Sequence, residues 1–301
     1  MPYASSAYGT AELAAYNRDC PLFVGHNLLR DAVTLRWTST GTNTGTDITV
    51  PVSPAYRAFD GRIVSPTRAF GSISTVYLNI RIPPSTIDTI ALIFLRAFPS
   101  STVTVQIADD AAFTTNVVDF AGPFAAVTGI PRLVRSFNGT RYTSVEFIRV
   151  RFVIGAGNYT NVTMPKLGEC FLGRGYPLSR TWDYGSDEEA DHVESADFEA
   201  RSGEKTRTVF SRGKRVLTHQ QVLSTGGLLG LDDAATTRTI AQLSLDHTRP
   251  VLHIPHPSTA LNTAFLGHLP TGGLELVQTD YDIFEYHLDF DELPFFRSLE
   301  V

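Results

Sequence analysis

Histidines are the first side chains to consider for chemistry, because neutral imidazole is a common metal ligand. His253 and His256 are separated by an Ile-Pro pair, and His247 and His268 lie nearby in the sequence. Residues three apart on a strand point to opposite faces, so His253 and His256 could share an ion only if the proline bends the chain. The chain has no H-E-x-x-H pattern. We therefore predict ordinary, partly buried histidines, with a metal site as the lesser alternative.

The acidic run Asp187–Asp191 offers several carboxylates, which supply the oxygen ligands that calcium prefers. It lacks the alternating ligands and the glycine of an EF-hand loop, so we predict a solvated acidic loop. Two carboxylates could also hydrolyse a polysaccharide, but such a pair is defined by a separation of about 5–9 Å in space and not by sequence spacing. No pair stands out, and a polysaccharide hydrolase is the least favoured of three hypotheses.

Motifs for nucleophilic catalysis and phosphate binding are missing from the sequence. There is no G-x-S-x-G elbow, and Gly226–Gly230 lacks both the Lys-Ser/Thr ending and the G-x-G-x-x-G spacing of phosphate-binding loops. Cys170 lies in a strand-like run, and its distance along the chain from Cys20 suits neither a zinc motif nor a disulfide framework. We predict two reduced thiols, no cofactor and no enzymatic activity.

The composition excludes several kinds of partner. Lys and Arg number 25 and Asp and Glu number 31, which gives a net charge of −6, and the chain has no basic cluster that would bind nucleic acid. Hydrophobic residues make up 43% and charged residues 19%, which predicts a folded core and some surface hidden against other chains. No apolar run approaches the ~20 residues of a membrane helix, and the N-terminus does not resemble a secretory signal. We expect cytoplasmic synthesis without membrane insertion.

The elements that must position these side chains are mostly strands. Apolar and polar residues alternate along 76–82, 103–107 and 147–154, which is typical of strands with one buried face. Ile87–Ala97 is almost continuously apolar, which predicts a strand covered on both faces. Turn clusters rich in Gly, Pro, Asn and Ser separate these runs. About eight strands between Ala32 and Leu172 predict an antiparallel jelly-roll β-sandwich.

The second half of the chain is predicted to be a β-rich domain with one short helix. Ala196–Arg201 and Thr206–Ser211 are predicted strands around a turn, and Asp232 is a plausible N-cap for the helix that follows it. Val251–Ile254 is a predicted strand, and Tyr281–Phe290 is the last strong strand pattern in this half.

The two ends of the chain differ from both halves. The predicted division is an N-terminal arm at 1–20, the sandwich at 21–175, the second domain at 176–290 and a C-terminal tail at 291–301. Apolar side chains left in water cost about 25 cal/mol per Å², so the end segments should either fold back on their own domain or dock on a neighbouring subunit. The residues predicted as inter-subunit contacts are Tyr3, Tyr8, Leu293, Phe295, Phe296 and Leu299.

Six segments follow one another in an order that recurs in a known fold family. They are Tyr56–Arg62, Tyr77–Ile82, Ile87–Ile93, Val103–Ile107, Ile148–Phe152 and Leu167–Gly173. Together they resemble the galactose-binding-like (discoidin-type) jelly roll. A variant occurs in bacteriophage tail proteins, where Asn27–Asp31 resembles the opening and Phe171–Gly173 the exit. In those proteins a second β-rich domain follows. Three segments of this chain resemble that domain: Arg249–Pro255, Phe265–Leu269 and the closing strand.

This resemblance implies a structural role as a tail or baseplate subunit of a bacteriophage virion, such as a minor tail protein. The expected partners are other virion proteins and further copies of the chain in a symmetric ring, and the expected location is the virion tail. Because lectin members of the family bind sugars at loop tips, the alternative is a module that binds a host-surface glycan.

The alternative needs an aromatic platform at a loop tip, because sugars stack their apolar faces on aromatic rings. Trp37 and Trp182 are the two tryptophans, and either could instead belong to a core. The segments that match the binding loops offer Trp37, Arg57, Arg62 and Arg68. No sugar-binding set of the family can be carried over onto these positions.

Overall fold

The structure is a computed structural model. It describes residues 2–48, 54–60, 67–68, 74–96, 102–125, 132–135, 139–153, 166–179, 187–192, 195–199, 205–209, 214–224, 231–244, 249–259, 264–269, 276–280 and 283–292. Across those residues the protein is mostly β, and every strand pair recorded is antiparallel. The predicted fold class is confirmed.

The strands are, in chain order, β1 (Ala4–Ala7), β2 (Leu22–Val24), β3 (Thr34–Thr38), β4 (Thr67–Arg68), β5 (Thr75–Ile87), β6 (Thr89–Arg96), β7 (Thr102–Ala108), β8 (Val118–Ala125), β9 (Arg132–Arg135), β10 (Thr140–Val153), β11 (Lys166–Gly173), β12 (Tyr176–Pro177), β13 (Asp187–His192), β14 (Ser195–Glu199), β15 (Lys205–Val209), β16 (Lys214–Ser224), β17 (Val251–Ile254), β18 (Phe265–His268), β19 (Leu276–Asp280) and β20 (Ile283–Glu292). The α-helices are α1 (Thr10–Asn17) and α2 (Asp233–Leu243), and the short 3₁₀-helices are η1 (Leu28–Asp31), η2 (Ala55–Ala58) and η3 (Pro257–Thr259).

Three sheets contain most of these strands. The outer sheet has the order β3-β5-β10-β7-β8, with β1 paired to β10, and the middle sheet has the order β4-β11-β6-β9. The third sheet has the order β12-β2-β17-β18-β20-β16-β13, with β19 paired to β20. The strands β14 and β15 pair separately with each other.

The first core lies between the outer and middle sheets, on the side of β5 and β10 that the alternation predicts. Its fully enclosed residues on these two strands are Val76, Leu78, Ile80, Ile82, Ile87, Val145, Ile148, Val150 and Phe152. Val150 pairs with Leu78 on one side and with Val105 on the other, so the apolar positions of three strands coincide. This agreement of register follows from the two-residue period of side chains along a strand.

The middle sheet is covered on both faces, as the apolar run 87–97 predicts. Ile90 and Leu92 of β6 belong to the first core, whereas Ala91 and Ile93 belong to a second core. Leu22 and Leu252 of the third sheet pack in that second core. The middle sheet is thus a shared wall, and neither of its faces meets water in the stretch 90–93.

The N-terminal strand β2 pairs with β17, and β12 pairs with the other edge of β2. One sheet therefore contains Leu22–Val24, which was predicted in the sandwich, together with Tyr176–Pro177 and Val251–Ile254. The division of the chain into domains at residue 175 stays a prediction.

Both helices begin at a defined residue. The Asp232 carboxylate accepts a hydrogen bond from the Ala235 N–H at 2.9 Å, so the predicted N-cap of α2 is confirmed. The other helix, α1, lies in a segment where the sequence showed no period. There the Glu12 carboxylate accepts from the Gly9 N–H at 3.2 Å and helps to begin the helix.

Candidate functional site

Trp37 is a core residue and offers no platform to a ligand. Its side chain is 0% exposed, its ring lies 5.4 Å from that of Phe152, and its indole N–H donates to the Thr67 hydroxyl at 2.9 Å. Arg57 and Arg68 are half-buried, and Trp182 and Arg62 lie outside the described residues. The tryptophan and arginines named from the sequence therefore do not form a described sugar-binding set.

A groove of about 530 Å³ opens beside β3, at the edge of the outer sheet. Its lining residues come from the start of β3, from the end of the loop after β3 and from η2, and they are Ala32, Leu35, Asp47, Pro54, Ala55, Tyr56 and Phe59. We call this feature the edge groove. Its volume lies within the range of ordinary ligand pockets, and its lining is mostly apolar with few polar groups.

The short helix η2 explains the aromatic side of the edge groove. Pro54 stands at its N-cap with φ −66°, the value that a proline ring favours. A 3₁₀-helix has three residues per turn, so Ala55 and Ala58 share one face and Tyr56 and Phe59 share another. The two alanines are buried against the first core, and Tyr56 remains 56% exposed. Small residues on one face therefore anchor the helix, and two aromatic residues line the groove from the other.

The carboxylate side of the edge groove is positioned by a backbone hydrogen bond. The Ile48 N–H donates to the Trp37 carbonyl at 2.9 Å, so the chain runs beside β3 at this point and leaves Asp47 exposed in the groove lining. The loop between them is held in turn by Asn79, whose amide donates to the Thr38 hydroxyl at 2.6 Å and to the Thr42 carbonyl at 2.9 Å.

Arg149 fixes the middle of the same loop from the outer face of the sheet. Its guanidinium donates to the Gly41 carbonyl at 2.9 Å and to the Gln106 side chain at 2.7 Å, and lies 4.3 Å from the Phe113 ring centre and 5.1 Å from that of Tyr77. Burial lowers the pKa of Arg149 from its ordinary value. Polar side chains of the sheet therefore hold the loop that carries Asp47 in place, and none of these side chains lines the groove.

The N-terminal arm lies against its own sandwich. The backbone N–H of Tyr3 donates to the Asp109 carboxylate at 2.7 Å, and its ring meets that of Tyr142 edge-on at 5.8 Å. Tyr8 is only 6% exposed and lies against the guanidinium of Arg141. Contact of Tyr3 and Tyr8 with a neighbouring subunit stays a prediction, and the predicted contacts at Leu293, Phe295, Phe296 and Leu299 lie outside the described residues.

Arg141 joins this arm to a fully buried carboxylate, that of Asp88. It donates to Glu12 of α1 at 2.8 Å and to Asp88 at 3.2 Å, and Asp88 also accepts the Gly175 N–H at 2.7 Å. Burial raises the pKa of Asp88, while the hydrogen bond from Gly175 and the charge of Arg141 oppose that rise. Asp88 is 0% exposed and does not line the edge groove. Its contacts therefore hold separate segments of the chain together and do not form a binding site.

The histidines considered for metal binding are held in different surroundings. His253 is 0% exposed and stacks on Phe23 at 4.4 Å, whereas the exposed His256 lies 3.2 Å from the Asp19 carboxylate. Within the described ranges, no cluster of three or more His, Cys, Asp or Glu side chains could hold a metal ion. The run Asp187–Asp191, predicted as an acidic loop, lies instead in strand β13, which pairs with β16, so the prediction of a loop is wrong. The side chains of this run lie outside the described part. None of the helices in the described segments is long and apolar enough to cross a membrane.

Both cysteines are free and buried, as the sequence predicts. Burial raises the pKa of Cys20 to about 11 and raises that of Cys170 as well, so both thiols are in their unreactive protonated form near neutral pH.

The edge groove was not identified from the sequence. Tyr56 was noted only as part of a fold resemblance, because a single 3₁₀ turn is too short to show a period. A signal was nevertheless present: a proline followed by Ala-Tyr-Arg-Ala-Phe, in which small and aromatic residues each recur after three positions.

Comparisons with known proteins identify no family for the chain. No family model matches it, and no curated protein matches it significantly. Among solved structures, a chitosan-binding module of a chitosanase/glucanase from Paenibacillus sp. IK-5 is 17% identical, with 50% of this chain and 99% of the module covered and a TM-score of 0.34. A fucolectin from the serum of the striped bass Morone saxatilis is 12% identical, with 89% of this chain and 98% of the lectin covered and a TM-score of 0.35.

A family 89 glycoside hydrolase from Clostridium perfringens is also similar in part. It is 11% identical, with 53% of this chain but only 16% of the hydrolase covered, and the TM-score is 0.26. Because all three TM-scores are below 0.5, none of these likenesses supports a conclusion about fold or activity.

Proposed function

We propose that the protein binds carbohydrate and that the saccharide lies in the edge groove. The observation that carries this proposal is the exposed ring of Tyr56 beside Phe59 at the lining of a groove that also contains a carboxylate. Aromatic rings cover the apolar face of a sugar, and one or two polar groups then orient its hydroxyls. A chitosan-binding module and a fucolectin are named for ligands of this kind. Because their TM-scores are low, the proposal rests on the groove alone.

Binding without hydrolysis fits the groove better than catalysis. Hydrolysis of a glycosidic bond needs two carboxyl groups on either side of that bond. Among the described lining residues, Asp47 is the only acidic one. This observation favours the glycan-binding hypothesis over the hydrolase.

The role of a tail subunit in a bacteriophage virion stays a prediction. It relied on end segments that dock on neighbouring subunits, and the N-terminal one packs against its own sandwich in this chain. No feature of the described residues identifies a virion partner, and a saccharide site on a virion protein would be compatible with that role.

The test is a screen of the full chain on a glycan array and on polysaccharide affinity gels, followed by calorimetry with the best ligand. Tyr56→Ala should weaken binding about tenfold, because it removes about 1 kcal/mol of stacking together with the contribution of the apolar area that the ring covers. Tyr56→Phe keeps the ring and should retain most of the affinity.

Leu13→Ala is the matched control, since Leu13 is also an exposed apolar side chain, at 40%, but lies outside the groove. The absence of saccharide binding by both methods, or equal binding by Tyr56→Ala and the unmodified chain, would overturn the proposal.

A further inference from the structure

Two arginines of β10 lie side by side on the outer face of the outer sheet. Arg149 and Arg151 flank Val150, whose side chain is buried in the first core, so both arginines point away from that core. Burial lowers the pKa of Arg149 and the charge of Arg151 lowers it further, while Tyr77 and Asp119 oppose these effects. Because like charges repel, an anion close to this pair would stabilise both guanidinium groups.

Arg149 makes several contacts within the protein, whereas Arg151 is left unpaired. Arg149 donates to the Gly41 carbonyl and to the Gln106 side chain. The Nε–H of Arg151 is shut off from water and has no hydrogen-bond partner, and no ion pair in the part of the chain that the structure describes includes this residue. The Arg151 side chain is half-buried and not enclosed. An unpaired donor out of water is costly, so a ligand that draws the guanidinium toward itself would regain that hydrogen bond.

The neighbours of Arg151 across the sheet are hydrogen-bond donors too. Its register partners are Tyr77 on β5 and Thr104 on β7. Residues that lie directly opposite each other on antiparallel strands share a face, so a phenol, a guanidinium and a hydroxyl stand in one row. Each of these groups can donate a hydrogen bond, and none of them is an acid that is ionised at neutral pH. We call Tyr77, Arg151 and Thr104 the donor row.

The strands of the outer sheet supply no carboxylate to the donor row. Their sequences contain two acidic residues, Asp119 and Glu146. Asp119 accepts a hydrogen bond from Gln106 at 2.7 Å, and Glu146 pairs with Arg81 at 2.7 Å. Both acids are therefore already held by other side chains of the sheet.

The sequence around this end of the sheet is also free of acids. The strand residues that the register places at this end are Thr38, Thr75, Thr102, Ala125 and Val153. The chain segments that adjoin them are 39–46, 69–74, 97–101, 126–131 and 154–165. None of these segments contains Asp or Glu. Although the whole chain has a net charge of −6, the surroundings of Arg151 favour an anion.

We infer that the donor row binds an oxyanion group, a carboxylate or a sulfate, and that Arg151 supplies the charge that holds it. A guanidinium presents its donors as a planar fork that matches two oxygens of such a group. The Tyr77 phenol and the Thr104 hydroxyl can donate to the oxygens on either side. No residue of the donor row lines the edge groove, so this inference does not depend on carbohydrate binding there. A free anion and the acidic group of a sugar present the same chemistry to the donor row.

The test titrates the full chain with inorganic sulfate, with glucuronate and with glucose while sodium chloride keeps the ionic strength constant. The constant ionic strength removes general screening as a cause of any difference. The Nε–H signal of Arg151 in the nuclear magnetic resonance spectrum is assigned as the arginine signal that disappears in Arg151→Lys. This signal should shift with sulfate and with glucuronate but not with glucose.

Affinities of the variants are read from the backbone amide signals of β5 and β7. Arg151→Gln should weaken the binding of sulfate and glucuronate at least about tenfold, because a charge-assisted contact is lost. Arg151→Lys keeps the charge but not the fork, so its affinity should be intermediate. The matched control is Arg81→Gln, which removes an arginine from the same sheet face that Glu146 already pairs, and it should leave both affinities unchanged.

The outcomes separate the source of the anion from the existence of the site. Equal binding of sulfate and glucuronate identifies a site for free anions, and tighter binding of glucuronate identifies one for acidic sugars. The inference is overturned if glucose shifts the Arg151 signal as much as the anions do, if neither anion shifts it, or if Arg151→Gln binds them as well as the unmodified chain. An equal loss in Arg81→Gln would also overturn it. Arg151→Gln should not alter the binding of a neutral saccharide through Tyr56, so the two proposals can fail independently.

Discussion

The middle sheet and the edge groove place apolar side chains in opposite settings. In the middle sheet, Leu92 and Ala91 are both 0% exposed although they lie on opposite faces of β6. At the edge groove, Tyr56 is 56% exposed. In the first case, burial of apolar surface stabilises the fold by about 25 cal/mol per Å². In the second case, the same free energy per area is gained only when a ligand covers the groove. The comparison teaches that an apolar residue contributes to folding or to binding according to which surface covers it.

The largest test of this comparison exchanges aromatic residues for alanine in both settings. Trp37→Ala should lower the free energy of unfolding by about 3–5 kcal/mol, because it leaves a cavity next to Phe152 and removes the indole N–H that donates to the Thr67 hydroxyl. Tyr56→Ala should lower it by less than about 1 kcal/mol, because the side chain is largely in water. Urea unfolding followed by circular dichroism measures both, and equal losses would contradict the distinction.

The next test removes the cation beside the buried Asp88. Arg141→Ala should lower the free energy of unfolding by about 3 kcal/mol at neutral pH, because a buried carboxylate loses its charged partner. The deficit should shrink on acidification, since a protonated Asp88 no longer needs that partner.

The unmodified chain should show a related pH dependence. The folded pKa of Asp88 is raised above its unfolded value, so its contribution to stability is present below the unfolded pKa and is lost as the pH rises through the folded pKa. Unfolding curves of the unmodified chain and Asp88→Asn across that window measure this contribution. A difference between them that does not change with pH would argue against the raised pKa.

A smaller effect is expected in the loop that carries Asp47. Gly41 has φ +71°, and a Cβ there would lie 2.9 Å from the Tyr77 ring. Gly139 has φ +89°, but a Cβ there would meet nothing within 4 Å. Gly139→Ala should therefore cost about 1 kcal/mol from its backbone conformation alone, and Gly41→Ala about 1 kcal/mol more from the added clash. Thermal unfolding of the pair separates the two causes, and equal losses would mean that Tyr77 moves aside freely.

The smallest effect is expected from the thiols. Cys20 is 1% exposed and Cys170 0%, and the pKa of Cys20 is raised to about 11. Neither should react with a thiol reagent at mildly alkaline pH in the folded chain, and both should react after denaturation. Mass spectrometry counts the labels, and rapid labelling of the native chain would show that the interior opens more readily than the burial of these residues implies.

Sequence patterns predicted the parts of the fold that repeat over many residues. The alternation along 76–82 and 147–154 matches β5 and β10 because one face of each strand is buried. The helix α1 was missed because it has only eight residues, and its three alanines lie on a different side from its larger apolar residues, Leu13 and Tyr16, so that no clear apolar stripe forms. The strand β2 has only three residues, and its pairing depends on a segment from the far end of the chain.

The candidate site was less predictable for a related reason. Trp37 attracted notice by residue type, although its alternation with Arg36 and Thr38 already indicated an inward position. Tyr56 is exposed because Ala55 and Ala58 are the residues of this short helix that pack against the core. Whether a groove exists beside them depends on how three separate segments meet, and no local pattern records that.

The pairing of β2 with β17 has a consequence during synthesis. Val24 lies opposite Leu252, so a strand made among the first residues cannot complete its sheet until the ribosome has delivered most of the chain. Until then Ala91, Ile93 and Phe171 of the shared wall lack the later residues of their core, among them Leu252 and Ile254. Contacts between such distant segments form slowly, and an uncovered apolar wall invites aggregation. A nascent chain that stalls before β17 should therefore depend on chaperones, although its first core could already have formed.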